Sequence, residues 1–333
     1  MKAIEFNGVG GPEVLRLVDR TCPVPGPGEV LVAVKAAGVN RPDVTQRRGL
    51  YPPPPGASDI PGLDIAGIVV EAAPDVRSPA IGEAVCALVT GGGYAEFCTA
   101  PAEQVLPLPD GFSFADGAAL PEIFFTAWNN LVLHGRLADG ERTLFQGGTS
   151  GVGVAAMQIA RQLFGARVIA TASSAEKRAL CLELGADAAV DYRDPEWPQA
   201  AMRANGGEPF DYILDAQAGD YVAKHISIMA PDARLVMLAA HRGATGTINF
   251  QEILRRRLVI TGSTLRPRPP AYKKRIAEAL LAHVWPLLAS RRIVVPLQRV
   301  LPLDEAAEAH RMLDENRQMG KIVLTMDRQE ARP

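Results

Sequence analysis

The sequence predicts an α/β chain of two domains, one rich in antiparallel strands and one built on a parallel sheet. Three observations predict it. From Lys2 to about Ala100, short alternating runs such as EVLVAVKAAGV are punctuated by PVPGPG and YPPPPGAS, the texture of antiparallel strands joined by tight turns. Around Asp116 the texture changes: DGAALPEIFFTAWNNLVLHG is long, apolar and helically spaced, and strands then alternate with helices. The length agrees, because 333 residues at 47% hydrophobic content are ample for two packed cores.

Taken in order, residues 143–146 form an apolar strand that enters a glycine turn. The chain leaves the turn as a helix with Val152, Ala155, Ala156, Ile159, Ala160 and Leu163 on one face, and ARVIATA follows as the next strand, completing a βαβ unit. Runs at 210–215, 234–239 and 258–265 read as further strands of the same sheet. RPRPPAYKKR is a Pro-rich, basic break, after which amphipathic helices are expected at 272–289 and 303–316, then a short strand, GKIVLTM. The expected boundaries are 1–122 for the β-rich domain, 123–265 for the α/β domain, and 266–333 for a tail that rejoins the first.

The glycine turn carries chemistry. Gly148, Gly151 and Gly153 let a ligand's phosphates approach the backbone N–H groups at a helix start, where the helix dipole favours negative charge. The middle position of GxGxxG is Ser150, so the match is imperfect, and a flavodoxin-like or purely structural turn is the competing reading. Chains that bind NAD place an Asp or Glu after the second strand, where it holds the ribose 2′-hydroxyl and repels the extra phosphate of NADP. Here ATASSAEKR supplies Ser173 and Ser174 instead. Ser174 reads as an N-cap, which puts Lys177 in the first helical turn, opposed to the dipole unless an anion sits beside it. A solvated Lys177 balanced by Glu176 is the alternative. Tyr192, ending the run AAVDY, can flank the same adenosine end or serve only in packing.

Composition excludes several partners. Lys and Arg total 35 against 37 Asp and Glu, so no positive field draws nucleic acid or an anionic membrane. The four cysteines lack CxxC or ligand-like spacing and read as free thiols in a reducing compartment. The N-terminal stretch has no signal-peptide core, and no apolar run reaches the roughly 18 residues of a membrane span. A cytoplasmic protein is expected.

The motifs GGPEVL, AAGVNRPDVTQRRGLYPPPPGAS, IPGLDIAGIV, GGGYAEF, ALPEIFFTAW, TSGVG, SSAEKR, LGAD, DY, AH and GKIVL occur in one order over nearly the whole chain. In this the chain resembles the zeta-crystallin-like quinone oxidoreductases of the medium-chain dehydrogenase/reductase superfamily, most of all the stress-inducible animal enzymes. The resemblance implies a GroES-like barrel domain joined to a Rossmann domain, NADPH in the cleft between them, and a homodimer, with the run 258–265 at the sheet edge continuing across the two-fold. It places Ser150, Gly151 and Val152 at the pyrophosphate, Ser173, Lys177 and Tyr192 at the 2′-phosphate, Tyr51 near the nicotinamide, and Lys321 as a coenzyme contact. Asn40, Asp43 and Tyr51 fall in the loop the family sets near the nicotinamide. Asn40 or Tyr51 is a candidate donor to a quinone oxygen; alternatively Tyr51 only walls the pocket, Asn40 satisfies backbone and Asp43 caps a turn. Zinc-dependent members of the superfamily carry Cys and His where this chain has Asn40 and Leu63, so no metal is expected. His283 and His310, on helices, read as surface or core-edge residues. The expected activity is quinone reduction by hydride transfer, with reduction of α,β-unsaturated carbonyls, or non-catalytic NADPH binding, as alternatives.

Overall fold

A computed structural model describes residues 1–332 and divides the chain into two compact units. The first comprises Met1–Phe125, Arg266–Arg291 and Val295–Pro333; the second comprises Thr126–Leu265 and Arg292–Val294.

The first unit is a mixed sheet of seven strands in the order Leu297–Pro302, Lys321–Thr325, Glu29–Val39, Asp64–Ala72, Ala84–Leu88, Val105–Pro107, with Phe97–Pro101 also paired to Glu29–Val39. Glu29–Val39 is its spine because its alternating Val and Ala residues face cores on both sides: Val30, Val32 and Val34 pack with Ile65, Val69 and Val85, and Ala37 and Val39 pack with Leu301, Ile322 and Leu324. The pairing Ile322↔Val39 brings the start of the last strand beside Asn40. Arg41–Arg47 forms a short helix there, and Ala306–Asp314 packs across it. The single helix expected at 272–289 is instead two, Pro270–His283 and Trp285–Ala289. Pro286 accounts for the break, since it has no N–H to donate to the preceding turn.

The second unit is a six-stranded parallel sheet in the order Ala188–Asp191, Arg167–Ala172, Arg142–Gln146, Phe210–Asp215, Met229–Met237, Val259–Gly262. The order reverses between Arg142–Gln146 and Phe210–Asp215, and in such sheets ligands bind beyond the carboxyl ends of the strands at that reversal. The strand expected at 234–239 begins earlier, at Met229, and the one expected at 258–265 is confined to Val259–Gly262. No helix among the described residues is long and apolar enough to cross a membrane.

Candidate functional site

The glycine turn leaves the carboxyl end of Arg142–Gln146 at that reversal. Gly147 holds a φ of 90° with open space around it, the backbone form that glycine adopts without strain. At Gly148 a side chain has no room: a Cβ would lie 2.8 Å from Cys181 Sγ and 2.9 Å from the Ala170 Cβ. Gly153 is equally closed, because a Cβ there would run into the Gly147 carbonyl. Ser150 caps the helix Gly151–Phe164 through Gly153 N–H to Ser150 Oγ, 3.1 Å. The N–H groups of Gly151 and Val152 then open the helix with no acceptor within it. Ser150 is exposed and Gly151 and Val152 are half-buried, so a pyrophosphate has access to all three. One further group fits a bound ligand: the Gln146 amide, 5% exposed, has no protein partner for either its oxygen or its nitrogen.

Beside the turn, Asp191 stands opposite Ala172 in the sheet register, which sets Tyr192 next to Ser173 and Ser174. Ser174 caps the following helix, accepting from Lys177 N–H at 3.2 Å, and Lys177 lies half-buried in the first turn. Two acids lie nearby: Glu176 in the same turn, hydrogen-bonded to Ser174, and Asp191, which is neutralised, since Arg193 Nε and NH2 donate to its two oxygens at 3.0 and 2.7 Å and Arg178 NH1 lies 2.9 Å away. These arginines, Arg193 foremost, hold the Asp191 carboxyl well below the usual range. The structure therefore gathers Ser173, Lys177 and Tyr192 on one partly exposed, cation-rich surface.

In the first unit the structure gathers Asn40, Asp43 and Lys321. Lys321 Nζ, 3% exposed, donates to Asn40 Oδ1 at 2.6 Å and to Asp64 Oδ2 at 2.9 Å. Asn40 Nδ2 closes the triangle onto Asp64 Oδ2 at 2.8 Å, and Glu122 N–H caps the other Asp64 oxygen at 2.6 Å. The Lys321 ammonium is thus engaged within this unit through two of its three donors, and both ends of the Asn40 amide are occupied. Leu63 contributes only an aliphatic, buried side chain. Among the described residues no group of three or more His, Cys, Asp or Glu could hold a metal.

Asp43 is fully buried and accepts from Asn40 N–H at 2.8 Å and from Tyr94 Oη at 3.1 Å, both on Oδ2. Behind Tyr94 lies His310, which is completely buried rather than at the surface or core edge. Arg47 NH1 lies 3.3 Å from His310 Nδ1, and an arginine can only donate, so Nδ1 accepts. The ring proton is therefore on Nε2, directed to Tyr94 Oη at 3.3 Å, which leaves the Tyr94 hydroxyl proton for Asp43. Burial first, then Arg47, pushes the His310 pKa down to about 3, and the ring stays neutral. Burial raises Asp43 to about 6 in spite of its donors. The chain Arg47, His310, Tyr94, Asp43 points every proton at one carboxylate and pins the helix Arg41–Arg47, from whose end the backbone runs to Tyr51.

Tyr51 is half-buried, and its ring lies under the Arg266 guanidinium, 5.4 Å from ring centroid to Cζ. Sequence reasoning passed over Arg266. Its signal was the first basic residue after the last strand of the parallel sheet, where the chain returns to the first unit. Arg266 Nε and NH2 both donate to the Thr90 carbonyl, at 2.9 and 2.6 Å, and its buried NH1 has no partner.

Comparison with known proteins gives the family. Two family models match, "Alcohol dehydrogenase GroES-like domain" over residues 26–110 and "Zinc-binding dehydrogenase" over residues 151–282. Together they define an alcohol-dehydrogenase type of architecture. The quinone oxidoreductases of Sus scrofa and Rattus norvegicus are 32% and 31% identical to this chain, over 98% of it and 98% of their own length. The chain belongs to the zeta-crystallin-like quinone oxidoreductases of the medium-chain dehydrogenase/reductase superfamily. Among solved structures, mycobacterial Rv1454c complexed with NADPH superposes with a TM-score of 0.86 at 29% identity, covering 98% of this chain and 100% of that one. The CurK enoyl reductase does so with a TM-score of 0.86 at 25% identity, covering 98% and 99%.

Proposed function

We propose that this chain is an NADPH-dependent quinone oxidoreductase that works without zinc. The observation that carries the coenzyme assignment is the surface of Ser173, Lys177 and Tyr192, where the acid of the neighbouring strand end, Asp191, is neutralised by Arg193 and Arg178 and so does not oppose a 2′-phosphate. Gly148, Ser150, Gly151, Val152 and Gly153 hold the pyrophosphate, and the solved NADPH complex of a full-length structural relative supports the same reading. When bound, NADPH supplies a hydride.

The acceptor end rests on Tyr51 and Arg266. A metal-free site must stabilise the charge developing on a quinone oxygen by placed donors, and Tyr51 Oη and Arg266 NH1 are the available ones. Asn40, Asp43 and Lys321 act as positioning groups: Lys321 and Asp64 fix Asn40, and Asn40 and Tyr94 fix Asp43. Because the Asn40–Asp64–Lys321 triangle satisfies its own charges, nothing in it calls for Zn²⁺. Tyr51→Phe is expected to slow quinone reduction by less than about a hundredfold, since one of two donors is lost. Complete inactivation with NADPH affinity intact would instead make Tyr51 an obligate proton donor. NADPH oxidation that rises on adding 1,4-naphthoquinone tests the activity; oxidation no faster than without acceptor rejects it. Reduction of conjugated carbonyls is the second reading, supported by the enoyl reductase among the structural relatives.

The assembly is a homodimer. Val259–Gly262 is an edge strand, paired on one side only, and Val259 is 48% exposed with Phe250 and Leu254 of the adjoining helix at 69% and 71%. An unpaired edge beside exposed apolar side chains is suited to a two-fold partner. Light scattering at micromolar concentration is expected to give twice the mass of the chain, and Phe250→Asp with Leu254→Asp to give monomer; a monomeric wild-type mass overturns this. The thiols suit a reducing cytoplasm: Cys86, Cys98 and Cys181 are buried, with ionisation suppressed by burial.

A further inference from the structure

Two buried cations stand together in the first unit without a salt bridge. Lys273, in the helix Pro270–His283, is 2% exposed, and its ammonium donates to the Arg266 carbonyl at 3.0 Å. Arg266 is 7% exposed, and its guanidinium is anchored on one uncharged acceptor, the Thr90 carbonyl. Neither cation makes a salt bridge to an acid, whereas Lys321, buried to the same degree, has Asp64 at 2.9 Å. Lysine and arginine are seldom buried unless paired, because an uncompensated buried charge is strongly unfavourable. Burial, reinforced by the neighbouring guanidinium, lowers the Lys273 pKa to about 8, and burial lowers Arg266 as well although Asp43 and Tyr51 act against it. The buried Arg266 NH1 still has no partner. Against the guanidinium lies the ring of Tyr51, half-buried in the Pro-rich stretch 50–57.

We infer that Arg266, stacked on Tyr51, and Lys273 form an anion subsite that takes a negatively charged substituent on an aromatic acceptor. The inference rests on the acceptor end assigned above and narrows it: quinones bearing an ionised hydroxyl, carboxylate or sulfonate are preferred over neutral ones. Arg266 NH1 donates to the anion, its planar fork being held in place by Thr90. Lys273 fixes the Arg266 backbone and adds a second positive charge behind it.

The test needs no turnover. Calorimetry on the full chain compares 2-naphthalenesulfonate with its neutral isostere 2-naphthalenesulfonamide. Wild type is expected to bind the sulfonate at least tenfold more tightly, Lys273→Met to lose most of that preference, and Lys273→Arg to keep it. Equal affinity of wild type for the two probes overturns the subsite, and this comparison stands even if Lys273→Met does not fold. Preference retained in a folded Lys273→Met removes Lys273 from it. A coenzyme phosphate is the other source of an anion: if Lys273→Met weakens NADPH tenfold and leaves the sulfonate untouched, the subsite belongs to the coenzyme and the acceptor preference is wrong. Failure of quinone turnover in wild type that discriminates the probes would instead strike the proposed reaction.

Discussion

Lys321→Met is expected to destabilise the first unit by about 3–5 kcal/mol, the usual cost of stripping the partner from a buried charge. The Asp64 carboxylate is fully buried, and without the ammonium it keeps only the Asn40 amide and the Glu122 N–H. Asp64→Asn combined with Lys321→Met is expected to recover part of the loss, because no lone charge then remains. Urea unfolding of the three proteins checks this. A loss below about 1 kcal/mol, together with weaker NADPH binding, would mean that Lys321 contacts the coenzyme and that the triangle is incidental.

Lys177→Ala is expected to weaken NADPH by roughly 10- to 100-fold, the value of one charge-assisted contact to a phosphate. NADH, which lacks that phosphate, should change little. The reason is local: Ser174 sets Lys177 in the first helical turn at 3.2 Å from N–H to hydroxyl, and Arg193 and Arg178 neutralise Asp191, the nearby carboxylate on the next strand. Fluorescence titration with both coenzymes measures the two affinities. Equal losses would remove Lys177 from the 2′-phosphate and leave the missing acid unexplained.

How much of this was legible in the sequence depends on the range of each interaction. The βαβ unit and the Ser174 cap that follows it are local, written within a few residues, and the strand, turn and helix stand where the periodicity and glycines put them; the Ser150 cap emerged only from the structure. The Lys321–Asp64 pair spans 257 residues of sequence and exists only because Lys321–Thr325 pairs with Glu29–Val39. A motif read along the chain gives Lys321 a position but not a partner. His310 was readable and misread: with Ala306, Ala309 and Leu313 it repeats at helical spacing on the buried face of its helix, so it belonged to the core. Arg266 lay hidden because a Pro-rich basic stretch looks solvated, and only the return of the chain to the first unit buries it. The early start of the strand at Met229 was equally hidden, since Pro231 and an Asp232 with a φ of 62° argue for a turn.

Metal-free transfer of reducing equivalents from NADPH to a quinone can be followed in a single turnover. The protein is dialysed against chelator, assayed for zinc, loaded with one equivalent of NADPH and mixed with 1,4-naphthoquinone while absorbance at the coenzyme and quinone bands is followed. The expected result is loss of both bands in one-to-one proportion and at one rate, with zinc below a tenth of an equivalent per chain and no change on adding it back. Persistence of the NADPH band in the dialysed protein, with activity restored by stoichiometric zinc, would contradict it.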